Sequence, residues 1–166
     1  MKNKAVFFDR DGTINSTEGR YYVYRLDDLQ FNPGVIDGIR RLNEAGYLVV
    51  VITNQGGIAK GIYEKRHVET FHGYMRFELR KHGARIDKIY YCPHHESVAP
   101  CCCRKPSPYL IELAMRQLDI DPAVSYMIGD SQSDMEAARA AGVTGIRIRP
   151  NSDLTPAIDR VLGEQA

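Results

Sequence analysis

Hydrophobic residues occur along this chain in short continuous runs, separated by stretches in which they recur at helical spacing. The continuous runs predict five buried strands, at 5–8, 47–52, 86–91, 125–128 and 144–148. The helical spacing predicts four helices between them, within 35–42, 68–79, 110–118 and 135–141. Alternating strands and helices predict an α/β fold of three layers, with a Rossmann-like parallel sheet and helices on both faces.

Polar residues follow four of these strands directly. They are Asp9 and Asp11 after the first strand, Thr53, Asn54 and Gln55 after the second, Cys92 and His94 after the third, and Gly129 and Asp130 after the fourth. The carboxyl ends of parallel strands meet at one edge of the sheet, where such folds bind ligands. Two long irregular segments lie at 15–32 and 93–107. Loops of that length are usually functional or disordered, and their position at this edge favours a functional role.

Length and charge narrow the class of protein. The chain has 166 residues, and its 22 basic against 21 acidic residues give a net charge of +1. We therefore predict a single domain over 1–166 and no nucleic-acid partner, because binding a polyanion needs a basic face. The apolar run before Asp9 is too short for a signal peptide or a membrane span. We expect a cytoplasmic monomer without a membrane partner.

The segment FFDRDGT carries two carboxylates two residues apart, immediately after the first strand. One carboxylate can attack phosphorus to form a covalent aspartyl phosphate, and the other can move protons. A solvated turn is the alternative for the tetrapeptide DRDG alone. The buried strand before it and the polar residues at the same edge favour catalysis.

Two further segments suit phosphate and its counterion. TNQGGIAKG, from Thr53 to Gly61, can offer backbone N–H groups to a phosphate, although such a run is also an ordinary strand-to-helix turn. GDSQSD supplies Asp130 and Asp134, and carboxylates beside a phosphate are the usual surroundings of Mg²⁺. Asp134 is the weaker candidate, since an acid in the first turn of a helix can serve the helix alone.

All four cysteines lie within one short segment, at Cys92 and at 101–103, with His94 beside the first. Three thiolates and an imidazole form a closed tetrahedral site, which predicts structural Zn²⁺ in a loop over 92–106. Which three cysteines bind stays open, because Cys102 and His95 are available neighbours. Free thiols are the alternative. The loop ends in Arg104 and Lys105, whose charges suit phosphate oxygens.

These motifs, FFDRDGT, Thr53, Lys105 and Gly129–Asp130 in this order, resemble the four motifs of the haloacid dehalogenase (HAD) superfamily of phosphatases. The segments CPHH, Cys-x-Cys followed by RKP, and TNQGGIAKG further resemble the D-glycero-D-manno-heptose-1,7-bisphosphate 7-phosphatase family. The resemblance implies a HAD-like fold without a cap domain. It implies a Mg²⁺-dependent phosphatase that removes the 7-phosphate of a small sugar bisphosphate.

The resemblance also implies residue roles. Asp9 is the expected nucleophile and Asp11 the general acid/base, while Thr53 and Lys105 stabilise the phosphoryl group. Mg²⁺ is expected on Asp9, on Asp130 and on Asp11 through its backbone carbonyl. Zn²⁺ is expected on Cys92, His94, Cys101 and Cys103, with Cys102 as a spacer. The expected substrate-binding residues are Thr17, Glu18, Gly19, Arg20, Asn54, Gln55, Gly56 and Arg104.

Several alternatives remain at this point. Histidinol-phosphate phosphatases share the aspartates, the zinc loop and the RKP segment, although GGIAKG favours the heptose enzymes. Tyr21, Tyr22 and Tyr24 suit either a substrate ring or an adaptable polar lid. A non-catalytic zinc-binding scaffold is a further alternative, but a scaffold has no need for Asp9, Asp11, Lys105 and Asp130 together.

Overall fold

A computed structural model describes residues 1–163 and has the predicted parallel sheet. Its strands are β1 Ala5–Phe8, β2 Leu48–Asn54, β3 Lys88–Cys92, β4 Tyr126–Gly129 and β5 Thr144–Arg147. They lie in the order β3-β2-β1-β4-β5, and every neighbouring pair is parallel. The predicted fold class is confirmed.

Five helices of eight or more residues lie within residues 1–163: α1 Val35–Glu44, α2 Lys65–Arg80, α3 Tyr109–Gln117, α4 Gln132–Ala140 and α5 Thr155–Leu162. Four were predicted, and α5 was missed. Its buried face consists of Ala157, Ile158 and Val161, so a helical apolar pattern was present but short. Short 3₁₀ turns occur at Leu26–Asp28 and Pro122–Val124.

The hydrophobic core has two layers, one on each face of the sheet. Alternate side chains of β1 point to opposite faces, as the pleat of a strand requires. Val6 and Phe8 pack on the side of α1, α2 and α5, whereas Ala5 and Phe7 pack on the side of α3 and α4. The sheet is therefore covered on both faces, which explains why its strands are continuous apolar runs.

The second strand extends farther than the sequence predicted. Its pattern predicted an end at Ile52, but the strand continues through Thr53 and Asn54, which pair with Tyr91 and Cys92 of β3. Backbone pairing with a neighbouring strand decides this boundary, and the hydrophobic pattern does not record it. The extension holds Thr53 and Asn54 rigidly at the edge of the sheet.

The strand order reverses direction between β1 and β4. Helices α1 and α2 follow β1 and β2 on one face, whereas α3 and α4 pack on the other. The loops after β1 and β4 therefore diverge and leave a crevice at the carboxyl ends of these two strands. Asp9 and Asp130 follow those ends directly. No helix within residues 1–163 has both the length and the apolar character to cross a membrane.

Candidate active site and metal centre

Asp9 lies at the carboxyl end of β1 and contacts Lys105, which comes from the loop after β3. The backbone N–H of Asp9 donates to the carbonyl of Ile128 at 3.0 Å, which ties the residue to β4. The Lys105 ammonium donates to Asp9 Oδ1 at 2.9 Å, to Asp134 Oδ1 at 2.6 Å and to the Ile52 carbonyl at 2.7 Å. All three N–H donors of Lys105 thus have partners.

Burial and these neighbours determine the protonation of the pair. Burial raises the pKa of Asp9 well above its ordinary value; Lys105 opposes this rise, and Asp134 and Asp130 add to it. Burial would lower the pKa of Lys105, but the carboxylates of Asp9 and Asp134 outweigh that effect and raise it. Lys105 therefore stays a cation and stabilises the ionised form of Asp9.

Asn54 holds the backbone of Lys105. Its side-chain oxygen accepts from the Lys105 N–H at 3.0 Å, and its side-chain nitrogen donates to the Lys105 carbonyl at 3.2 Å. The extended end of β2 thus positions a loop residue that lies about fifty positions later in the chain. Asn54 was predicted as a substrate-binding residue, but its two hydrogen bonds to the backbone of Lys105 were not predicted.

The carboxylate of Asp11 is held on both oxygens. Oδ1 accepts from the Arg10 guanidinium at 2.8 Å and 3.0 Å and from the Asn15 side chain at 3.1 Å. Oδ2 accepts from Gln55 Nε2 at 3.1 Å. These hydrogen bonds therefore fix the Asp11 carboxylate in one orientation.

Arg10 is fully buried, and sequence reasoning missed it although it stands between the two aspartates. Its guanidinium packs on the Phe71 ring at 4.5 Å, donates to the Val23 carbonyl and lies 3.1 Å from His72 Nε2. Burial, with the charge of Arg10, lowers the pKa of His72 to about 3. Neutral His72 can therefore accept a hydrogen bond from Arg10.

Gln55 links Asp11 to Thr53 and Tyr63. Gln55 Nε2 donates to Thr53 Oγ1 at 2.9 Å as well as to Asp11, and its Oε1 accepts from the Tyr63 hydroxyl at 2.6 Å. Both Thr53 and Gln55 are almost completely buried. Both ends of the Gln55 amide are thus bonded to other residues of the protein. The substrate contact expected of Gln55 stays a prediction.

Three carboxylates form a cluster that suits a cation. Oxygens of Asp9, Asp130 and Asp134 lie within 4.8 Å of one another. A Cβ atom on Gly12 would lie 2.4 Å from Asp130 Oδ2, so only glycine lets this carboxylate approach Asp9. Asp134 is completely buried and already has two partners. It binds Lys105, and it accepts a hydrogen bond from the Ser131 N–H at 3.1 Å.

The second cluster consists of Cys92, His94, Cys101 and Cys103. Cys92 Sγ lies 3.1 Å from Cys103 Sγ, 3.7 Å from Cys101 Sγ and 3.5 Å from His94 Nδ1, which is 3.3 Å from Cys103 Sγ. Zinc–sulfur bonds of about 2.3 Å in a tetrahedron place sulfurs roughly 3.8 Å apart. The donor set and its spacing therefore fit one tetrahedral metal ion.

The neighbours of this cluster have other roles. Cys102 is exposed, and its carbonyl accepts from the Ser107 hydroxyl at 2.6 Å. His95 Nδ1 lies 2.7 Å from the Ser97 hydroxyl. The folded structure thus excludes Cys102 and His95 from the cluster of possible metal ligands. The spacing of these residues in the sequence could not exclude them.

Two adjacent cavities lie at this edge of the sheet. The first, of about 170 Å³, is lined by Asp9, Asp11, Asn54, Lys105, Asp130, Ser131, Ser133 and Asp134. The second, of about 200 Å³, is lined by Asp11, Tyr21, Tyr22, Asn54, Gly56, Lys60, Tyr63, His95 and Arg104. Because Asp11 and Asn54 line both, the two cavities adjoin.

The predicted substrate loop 17–20 is not among the residues that line these cavities. Thr17 binds Asn151, with its N–H donating to Asn151 Oδ1 at 2.9 Å, and Arg20 forms an ion pair with Asp28 at 2.8 Å. Glu18 and Gly19 lie in the same turn, where the Glu18 N–H donates to the Ser16 hydroxyl. Gly56 and Arg104 do line the second cavity. Substrate contacts of all these residues stay predictions.

Comparisons with known proteins are consistent with this geometry. A family model described as HAD-hydrolase-like matches residues 102–157. The D-glycero-beta-D-manno-heptose-1,7-bisphosphate 7-phosphatase of Escherichia coli K12 is 44% identical over 159 residues, which cover 92% of this chain and 82% of that protein. The protein of the same name from Haemophilus ducreyi is 42% identical over 93% of this chain and 88% of its own length.

A solved structure shares the whole fold. The D,D-heptose 1,7-bisphosphate phosphatase from B. bronchiseptica, complexed with magnesium and phosphate, superposes with a TM-score of 0.87. It is 29% identical and covers 98% of this chain and 99% of its own. The resemblance seen in the motifs is thus confirmed, and the chain belongs to the D-glycero-beta-D-manno-heptose-1,7-bisphosphate 7-phosphatase family of HAD phosphatases.

Proposed function

We propose that this protein hydrolyses the 7-phosphate of D-glycero-β-D-manno-heptose 1,7-bisphosphate, with Mg²⁺ at the reaction centre and structural Zn²⁺ in the loop 92–106. The observation that carries the proposal is the buried contact of Lys105 with Asp9, beside Asp11 and Asp130 in one cavity. The names of the relatives supply the substrate. A small sugar bisphosphate suits a cavity of this size better than a polymer does.

The first half of the reaction forms a covalent intermediate on Asp9. A carboxylate oxygen of Asp9 attacks phosphorus, and the bond between phosphorus and the sugar oxygen breaks. Asp11 donates a proton to that leaving oxygen. Lys105 keeps Asp9 ionised and, with the Thr53 hydroxyl, stabilises the charge that develops on the phosphoryl oxygens.

The second half returns Asp9 to its carboxylate form. Asp11, now ionised, removes a proton from water, and the water oxygen attacks the phosphorus of the aspartyl phosphate as the bond between phosphorus and the Asp9 oxygen breaks. Arg10, Asn15 and Gln55 keep the Asp11 carboxylate oriented for both steps, since all three donate to it. Inorganic phosphate then dissociates.

The carboxylate cluster is the proposed Mg²⁺ site. Asp9 and Asp130 would hold the ion together with the backbone carbonyl of Asp11, and Asp134 would instead orient Lys105. Bound Mg²⁺ would neutralise the clustered negative charge of the carboxylates and the phosphate. Burial raises the pKa of both Asp9 and Asp130, and a bound cation would favour the ionised form of the two carboxylates.

Zinc on Cys92, His94, Cys101 and Cys103 would fix the loop that ends in Arg104 and Lys105. Four protein ligands leave no open position, so the ion would have no part in the reaction. We further propose one domain over 1–166 without a cap domain. The end of that range, 164–166, lies outside the described residues. The monomeric state and the cytoplasmic location stay predictions.

A phosphate-release panel tests the substrate. We expect kcat/KM for the β anomer of heptose 1,7-bisphosphate to exceed that for histidinol phosphate by about 100-fold or more, because recognition of a second phosphate is lost with the smaller ester. The α anomer, assayed in parallel, measures anomer preference. A higher kcat/KM for histidinol phosphate would show that the heptose assignment is wrong.

Metal analysis tests the zinc site. Protein purified with weak chelator to remove Mg²⁺ should retain about one zinc per chain. Cys101→Ser should lower this content because it removes a ligand, whereas the matched variant Cys102→Ser should not. Equal zinc loss in both variants, or active wild-type protein without zinc, would contradict the assignment.

A further inference from the structure

The second cavity at the sheet edge contains a cation that the proposed reaction does not use. This cavity adjoins the reaction centre, since Asp11 and Asn54 line both. A substrate whose reacting phosphate lies beside Asp9 can therefore extend into it. Lys60 lines the cavity from the turn that follows β2.

The Lys60 ammonium has an incomplete set of partners. One of its three N–H donors faces the Tyr22 hydroxyl, at 3.1 Å. Among residues 1–163, no carboxylate oxygen lies within ion-pair distance of Lys60, although Lys60 is near enough to Glu96 to help lower the pKa of that carboxyl group. Tyr22 itself is held against Tyr63 by an edge-on ring contact with centroids 5.9 Å apart. Lys60 thus has donors left for a ligand beside a positioned phenol.

The other charges of this cavity are already compensated. Asp11 is paired with Arg10 at 2.8 Å, and Arg104 with Glu96 at 2.9 Å. Glu96 therefore shares its negative charge between Arg104 and the more distant Lys60, and these groups together keep a net positive charge. An anion is the ligand that such a lining favours.

His95 adds a second donor to the same lining. Its Nδ1 accepts from the Ser97 N–H at 3.1 Å, which leaves Nε2 as the donor of the ring, 3.9 Å from a carboxylate oxygen of Glu96. Gly56 permits this arrangement, because a Cβ atom there would lie 2.8 Å from the His95 ring and 3.1 Å from Arg104. The small residue keeps space between the reaction centre and Lys60.

We propose that Lys60 binds the phosphate of the substrate that is not cleaved, and so determines preference for a bisphosphate over a monophosphate. This inference rests on the proposed function, which places the second phosphate at the opposite end of the sugar. A phosphate monoester carries a charge near −2 at neutral pH and several strong acceptor oxygens. The ammonium of Lys60 and the Nε2–H of His95 are matching donors.

The test compares heptose 1,7-bisphosphate with heptose 7-phosphate, which lacks the distal phosphate. In Lys60→Met, which keeps most of the length of the side chain but removes its charge, the ratio of kcat/KM for the two substrates should fall by about 10-fold. Lys60→Arg should restore most of the ratio. Lys65→Met, an exposed lysine of α2, is the matched control and should leave the ratio at its wild-type value.

The outcomes separate this inference from the proposed function. Wild-type protein that releases no phosphate from the bisphosphate overturns both. Wild-type protein that is active, with an unchanged ratio in Lys60→Met or an equal loss on both substrates, overturns the role of Lys60 and leaves the proposed function intact. A ratio that falls in Lys60→Met and recovers in Lys60→Arg supports the role.

Discussion

Asp9→Asn should lower kcat by about 10⁴-fold or more, because an amide cannot attack phosphorus and form the acyl phosphate. The folded structure should persist, since an amide can still accept from Lys105 and the buried lysine retains its contact with Asp134. The measurement is single-turnover and steady-state phosphate release from heptose 1,7-bisphosphate with saturating Mg²⁺.

The matched control for that variant is Asp27→Asn, which makes the same chemical change on an exposed residue of the first long loop. It should retain wild-type kcat. Circular dichroism of both proteins separates lost chemistry from lost folding. Substantial turnover by folded Asp9→Asn would be incompatible with a covalent mechanism through Asp9.

Lys105→Met should destabilise the protein by about 3–5 kcal/mol, because it leaves the buried carboxylates of Asp9 and Asp134 without their cation. The same change should lower kcat/KM by about 10²- to 10³-fold, since the positive charge that keeps Asp9 ionised and stabilises the reacting phosphoryl group is lost. Urea unfolding without Mg²⁺ measures the stability, because a bound ion would replace part of the missing charge.

Lys81→Met is the control for this second variant. Lys81 forms a surface ion pair with Glu78 at 3.2 Å, and its loss should change the free energy of unfolding by less than about 1 kcal/mol. The double variant Lys105→Met with Asp134→Asn should recover part of the lost stability, because one buried charge is removed as well. Equal stability of Lys105→Met and Lys81→Met would rule out a buried charge network.

Much of the candidate site was predictable because its chemistry stands in local segments. Asp9, Asp11 and Asp130 each follow a run of apolar residues, and the alternation of strands and helices places such positions at one sheet edge. The spacing of Cys92 and His94 from the later cysteines likewise predicted a four-ligand site. In each case a short stretch of sequence contains both the structural signal and the chemical group.

What was missed depends on contacts between distant segments. Arg10 and His72 are 62 residues apart, and their contact at 3.1 Å follows from packing of α2 against β1. Asn54 and Lys105 are 51 residues apart, and Asn54 supports the backbone of Lys105 rather than only facing a substrate. No periodicity or motif marks such pairings, since each one joins two segments that come together only when the chain folds.

The sequence by itself predicted the fold class, a candidate nucleophile at the end of β1 and the kind of metal that each cluster suits, because hydrophobic period and ligand type are properties of single segments. Only the tertiary structure decided which charged groups lie in contact with one another. It placed Lys105 between Asp9 and Asp134, separated Cys102 from the thiol cluster, and brought Lys60 to the lining of a second cavity. Electrostatic free energy depends on distance and burial, and folding alone sets both.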